Sequence, residues 1–162
     1  MNKPHKSPPL GYLLSELEYE PATGIFKWKR GKQGRAADLT AGYASNGYLR
    51  IFVAGKSYQA HRLAFFMMNG REPADEVDHI DGDTMNNAAS NLREATRLEN
   101  SRNRKSSRGF QKHRDRKKNP FQARIKYDGK IVSLGVFPTE ELARAAYEQA
   151  ANKHFGEFSP VK

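Results

Sequence analysis

The clearest alternation of apolar and polar positions runs over residues 46–59, NGYLRIFVAGKSYQ. Tyr48, Arg50 and Phe52 fall on one face and Leu49, Ile51 and Val53 on the other, which is the period of a strand. Ala54-Gly55-Lys56 supplies a turn, so the segment predicts a hairpin. AHRLAFFMMNG (60–70) then reads as a short helix stopped by Asn69-Gly70. Upstream, GIFKW (24–28) reads as a strand after the turn-like PATG. Residues 11–20 read as one short helix, 29–42 as a glycine-containing loop, and the Pro-, Lys- and Ser-rich residues 1–10 as a loose arm.

Residues 76–104 predict a strand, a polar loop, a short strand and a helix. The loop is crowded with Asp, Asn, Gly and Thr, which favour turns. Thr96 followed by Glu99 is the S/T-x-x-E signature of a helix start. Residues 105–118 read as a basic connector, and 119–139 as strand, Asp-Gly turn and strand. A helix follows over 138–156, with Thr139 as N-cap, Glu140 and Glu141 in its first turn and Gly156 as its stop. Leu142, Ala146, Tyr147, Ala150 and Ala151 form its expected apolar stripe. The pattern is that of an α+β chain in two parts, 1–105 and 106–162.

A length of 162 residues suits one ordinary domain or two small ones. No apolar run approaches the ~18–20 residues that span a bilayer, and the first residues lack the apolar core of a secretory signal. The chain has no cysteine, which excludes a disulfide framework, a thiolate zinc site, an iron–sulfur cluster and a cysteine nucleophile.

The net charge is +10, and its distribution says more than its size. Residues 101–130 hold 12 basic and two acidic side chains, so the excess lies in this one window. Phe110, Phe121, Ile125 and Tyr127 interleave the charges there. A concentrated basic segment of this kind is the footprint of a polyanion binder.

The chemistry concentrates in VDHIDGD…NNAASNLR…LEN. Hydrolysis of a nucleic-acid strand needs a base that works near neutral pH, and histidine is the natural one. It also needs a hard cation at the phosphate, for which Asp and Asn oxygens are suitable ligands. Asp78-His79 at a strand end and Asn100 on the capped helix supply these groups. Adjacent residues of a regular strand face opposite sides, so Asp78 and His79 share a site only if the strand ends or bends there. The following Ile80-Asp81-Gly82-Asp83 turn allows this. DHIDGD does not fit an EF-hand, because Ile80 stands at the third ligand position.

These residues resemble the HNH endonucleases, built around a ββα-metal finger. Asn91 and Asn100 stand 12 and 21 positions after His79, similar to the H…N…N version of phage and intron-encoded nicking enzymes. The resemblance covers about residues 24–104. It implies His79 as general base, Asp78 and Asn100 as ligands of one Mg²⁺ or Mn²⁺, and Asn91 as the brace of the loop between the strands. Asn103 is the rival for the position of Asn100. His61-Arg62, on the helix before the finger, could touch a phosphate near the cut.

Residues 108–156 resemble the plant ethylene-response-factor DNA-binding domain, in which a three-stranded sheet backed by one helix enters the major groove. A strand pair rich in Arg and Lys can lie in a groove about 12 Å wide. The tryptophans which that family carries on its strands are absent, so phosphate contacts are expected to dominate. The expected DNA contacts are Arg62, Arg102, Arg104, Lys105, Arg108, Lys112, Arg114, Arg124 and Lys126.

Together these readings imply a monomeric, metal-dependent DNA endonuclease of phage or homing type, acting on duplex DNA in the cytoplasm of a bacterial host. A non-catalytic DNA-binding regulator with a decayed finger is the rival. An RNA-binding module is a second, weakened by the lack of G-F/Y-G-F aromatic signatures.

Overall fold

The computed structural model describes residues 6–31, 39–103 and 109–159. The chain divides into two compact units, Met1–Thr96 and Arg97–Lys162. Helix and strand are mixed throughout, in several small antiparallel sheets, as expected of an α+β chain.

In the first unit, helix α1 (Leu10–Glu16) leads directly into strand β1 (Leu17–Glu20), which pairs with β2 (Ile25–Trp28). The helix expected over 11–20 therefore ends early. LEYE alternates, and its pairing with IFKW puts Leu17 and Phe26 in the core, a gain that continued helix would forgo. A second sheet runs β3 (Tyr43–Ser45), β4 (Tyr48–Val53) and β5 (Lys56–Gln59). The hairpin expected over 46–59 is present, with Ile51 and Val53 buried and Phe52 exposed. Ala54 and Gly55 both have positive φ, the conformation of a tight two-residue hairpin turn.

Helix α2 (Ala60–Asn69) packs against β4, β5 and the next strand. Gly70 closes it in the left-handed conformation, its N–H donating to the Phe66 carbonyl. Leu13, Leu17, Phe26, Ile51, Leu63 and Ala64 meet in the core beneath it. The third sheet is a hairpin of β6 (Glu76–His79) and β7 (Leu92–Ala95), with Asp78 opposite Arg93 and His79 opposite Leu92.

In the second unit, helix α3 (Arg97–Arg102) begins directly after Thr96. Strands β8 (Phe110–Lys112), β9 (Phe121–Tyr127) and β10 (Lys130–Phe137) form one antiparallel sheet, with α4 (Glu140–Phe155) packed across it. β8 lies inside the segment that local pattern reads as connector. Three residues are too short to show a period, and the strand exists through its pairing with β9. Thr139 caps α4 as expected, accepting from the Leu142 N–H. The buried stripe, however, is Ala143, Tyr147, Ala151 and Phe155, spaced by four, and Leu142 is 50% exposed. Tyr147 and Phe155 set that face, because the largest rings bury the most apolar area against Ile125.

Candidate functional site

Strand β6 ends at His79. The chain then turns at once: Gly82 N–H donates to the His79 carbonyl at 2.9 Å, and Ile80 N–H to the Asn91 carbonyl at 2.8 Å. Asn91 closes the loop from the other end. Its Oδ1 accepts from Asp81 N–H at 2.9 Å, and its Nδ2 donates to Asp81 Oδ1 at 3.0 Å and to the Asn86 carbonyl at 2.8 Å. Burial acts to raise the Asp81 pKa, but bonds from Asn86, from the Asp83 backbone and from Asn91 prevail and hold it below the usual carboxylate value.

The loop is held from behind by the β1–β2 turn. Tyr19 Oη donates to the Asn87 carbonyl at 2.8 Å, and Ala89 N–H donates to the Pro21 carbonyl at 2.8 Å. Gly24 sits at φ +74°, so close that a Cβ there would lie 2.2 Å from the Asn87 carbonyl carbon. At the loop's outer side Thr84 Oγ1 donates to the Gly47 carbonyl.

His79 is 4% exposed. Its Nε2 lies 3.4 Å from Asn87 Oδ1, a long contact. The Asn87 amide is oriented by its Nδ2 donating to the Met85 carbonyl at 3.0 Å, which turns its oxygen toward the ring. An acceptor at Nε2 calls for the Nε2–H tautomer, which places the lone pair of the neutral ring on Nδ1. Burial lowers the His79 pKa, opposed by the Asn87 bond and the charges of Asp78, Asp81 and Asp83. The ring is therefore neutral at pH 7 and able to accept a proton.

Two further rings stand beside it. His61 of α2 meets His79 edge to face, with centroids 4.9 Å apart, and Tyr48 of β4 lies 6.4 Å from His79. Burial, then the neighbouring His79 and Arg62, push the His61 pKa down to about 3.

Asp78 turns to its cross-strand neighbour. Arg93 donates from Nε at 3.0 Å and from Nη2 at 2.7 Å to Asp78 Oδ2. Asp and Asn oxygens are the hard donors that Mg²⁺ takes. Asn100 lies on α3 in the second unit. Among the described residues, no group of three or more His, Cys, Asp or Glu side chains is placed to hold a metal ion.

The expected DNA contacts fall in both units. Arg62 donates to the Asp75 carbonyl at 2.9 Å and lies 3.9 Å from the Glu72 carboxylate. In the second unit Arg124 and Lys126 are exposed on one face of β9, opposite the buried Ala123 and Ile125. Lys112 is exposed on β8 with its Nζ 5.5 Å from the Phe121 ring centre, and Arg114 is exposed in the loop that follows. The Arg102 guanidinium stacks 4.9 Å from the Phe155 ring centre. Arg104, Lys105 and Arg108 lie outside the described residues.

Three neighbours of the site escaped the sequence reading: Asn87 at His79, Arg93 at Asp78, and Tyr48 at both histidines. The Asn86-Asn87 pair after an Asp-Gly turn was visible as turn chemistry only. Arg93 is found only through the hairpin register, which depends on the loop length.

Comparison with known proteins places this arrangement. Residues 58–102 match the HNH endonuclease family, a span holding α2, both strands of the β6–β7 hairpin and α3. The chain is 32% identical over 150 residues to an uncharacterized HNH endonuclease of Acanthamoeba polyphaga mimivirus, covering 91% of this chain and 73% of that relative. The chain belongs to the HNH endonuclease family. Membership indicates a nuclease acting on DNA, in a family that generally uses divalent metal ions. No solved structure matches the chain. No described helix is long and apolar enough to cross a membrane.

Proposed function

We propose that this protein hydrolyses phosphodiester bonds of duplex DNA, His79 serving as general base. The observation that carries the reading is the setting of His79: a neutral imidazole at a strand end, with Asn87 at one nitrogen and three carboxylates in electrostatic reach. Nδ1 takes a proton from water as the oxygen attacks phosphorus in line. No covalent intermediate is needed: the bond from phosphorus to the 3′-oxygen breaks as the bond to the water oxygen forms, the 3′-oxygen takes a proton from solvent, and the proton held on His79 returns to solvent.

Asp78 and Asn100 would hold the cation, Mg²⁺ or Mn²⁺. The chemistry such an ion supplies is neutralisation of charge at the scissile phosphate and the departing 3′-oxygen. Arg93 holds the Asp78 carboxylate in place. Asn91 fixes the loop that carries His79 toward substrate.

The second unit anchors the enzyme on the duplex, in the manner of an ethylene-response-factor-like sheet. Arg124 and Lys126 on the open face of β9, with Lys112 and Arg114, supply the phosphate contacts. One site per monomer favours nicking over double-strand cutting. A homing-type enzyme that favours particular sites, carried by a phage or another virus, fits the viral source of the relative.

Supercoiled plasmid incubated with Mg²⁺ or with EDTA tests the reading. Relaxed circles only with Mg²⁺ are expected. Binding of plasmid without any cleavage would instead favour the non-catalytic regulator.

A further inference from the structure

A buried polar atom without a partner costs about 1–3 kcal/mol, so its presence calls for an explanation. His61 Nδ1 is such an atom. The His61 side chain is 5% exposed, and its companions on the buried face of α2 are Ala60, Leu63, Ala64 and Phe65. Packing alone does not select an imidazole there. A phenyl ring would fill similar space with no unpaired nitrogen. The position is also specific: His61 stands edge to face on His79 with an interplanar angle of 80°, and the Tyr48 ring covers it at 5.5 Å.

We propose that His61 is a positioning residue of the cleavage site, holding the His79 ring in plane while its Nδ1 binds a water ordered beside that ring when DNA is bound. A water in such a place needs two or more polar partners, and the substrate phosphate completes the set that His61 begins. No proton changes owner at His61 in this role; the proton of the attacking water still goes to His79. The inference rests on the nuclease reading above.

The test uses the full chain and three variants, His61→Phe, His61→Asn and His61→Leu. His61→Phe keeps a ring and removes both nitrogens, whereas the Asn amide restores a polar group at the level of Nδ1. Thermal midpoint and duplex affinity are measured beside steady-state cleavage. His61→Phe is expected to keep its fold and DNA affinity, with kcat reduced about 10- to 100-fold and KM unchanged, the scale seen when supporting partners of a site are lost. His61→Asn is expected to recover part of that rate. If His61→Phe fails to fold, the His61→Asn and His61→Leu pair carries the same comparison. Wild-type cleavage with an equally active His61→Phe, or with His61→Asn no faster than the apolar variants, overturns the role of His61 alone. Absence of cleavage by the wild type overturns the nuclease reading instead.

Discussion

Asp78 and Arg93 face each other across the β6–β7 ladder, and Arg93 brings two nitrogens, Nε and Nη2, to a single oxygen of a carboxylate whose side chain is only 5% exposed. The pair converts a strand register into a fixed position for a charged oxygen next to the candidate base. Breaking a buried pair by removing one partner costs about 3–5 kcal/mol, because the remaining charge is left without compensation. Arg93→Ala is expected to lose stability on that scale, and Asp78→Asn to lose stability as well, since it leaves the buried Arg93 guanidinium without its counter-charge. Urea unfolding of both variants beside the wild type checks both losses.

The Asn87 amide oxygen facing His79 Nε2 favours the tautomer that carries its proton there. Asn87→Leu is expected to release the tautomer and slow cleavage about 10- to 100-fold, the cost typical of losing a supporting hydrogen bond. The ¹⁵N chemical shifts of His79 read this directly. The wild type should show protonated Nε2 and unprotonated Nδ1, and Asn87→Leu a mixture.

Gly24 and Gly55 share a φ of +74° but differ in their surroundings. A methyl group at Gly55 meets nothing within 4 Å, so Gly55→Ala is expected to cost only the strain of the left-handed backbone, about 1–2 kcal/mol. At Gly24 the same methyl falls 2.2 Å from Asn87 carbon and 2.3 Å from Ala88 nitrogen, both backbone. Gly24→Ala should therefore push the His79 loop off the β1–β2 turn, with a larger loss of stability and a loss of cleavage. Thermal melts and a cleavage assay separate the two cases.

The buried histidines link stability to pH. His61 falls from an ordinary 6.5 to about 3 in the folded chain. The unfolded chain therefore binds more protons between these values, and stability rises with pH across that window. The contribution is complete above pH 6.5 and is lost as pH falls toward 3. A single such group changes stability by up to about 1.4 kcal/mol per pH unit. Between pH 6.5 and 4.5, His61→Phe is expected to lose about 2 kcal/mol less than the wild type, as measured by denaturant unfolding at both pH values.

DNA binding by the second unit should be electrostatic. Arg124→Ala and Lys126→Ala are each expected to weaken binding evenly across sequences and to lower the salt slope of the affinity by about one. Fluorescence anisotropy on two unrelated duplexes at several salt concentrations measures both quantities.

Much of the fold is written in local pattern. The β4–β5 hairpin shows as alternation closed by a glycine turn, α2 ends where Asn69-Gly70 says it should, and Thr139 caps α4. The elements that local pattern misplaces depend on partners distant in sequence. β1 is extended because it pairs with β2, β8 exists because it pairs with β9, and Leu142 is exposed because Tyr147 and Phe155 claim the buried face. The candidate site divides in the same way. DHIDGD and the spaced asparagines mark where the chemistry lies. That Arg93 meets Asp78, and that His61 and Tyr48 meet His79, follows from hairpin register and helix packing, which no single stretch of residues records.

The most direct test of His79 as the base is single-turnover cleavage of an end-labelled duplex by wild type and His79→Ala, with duplex affinity measured in parallel. Loss of the base should lower the rate about 10²- to 10⁴-fold with affinity unchanged. Cleavage by His79→Ala at the wild-type rate would contradict the assignment and place the proton transfer on another group.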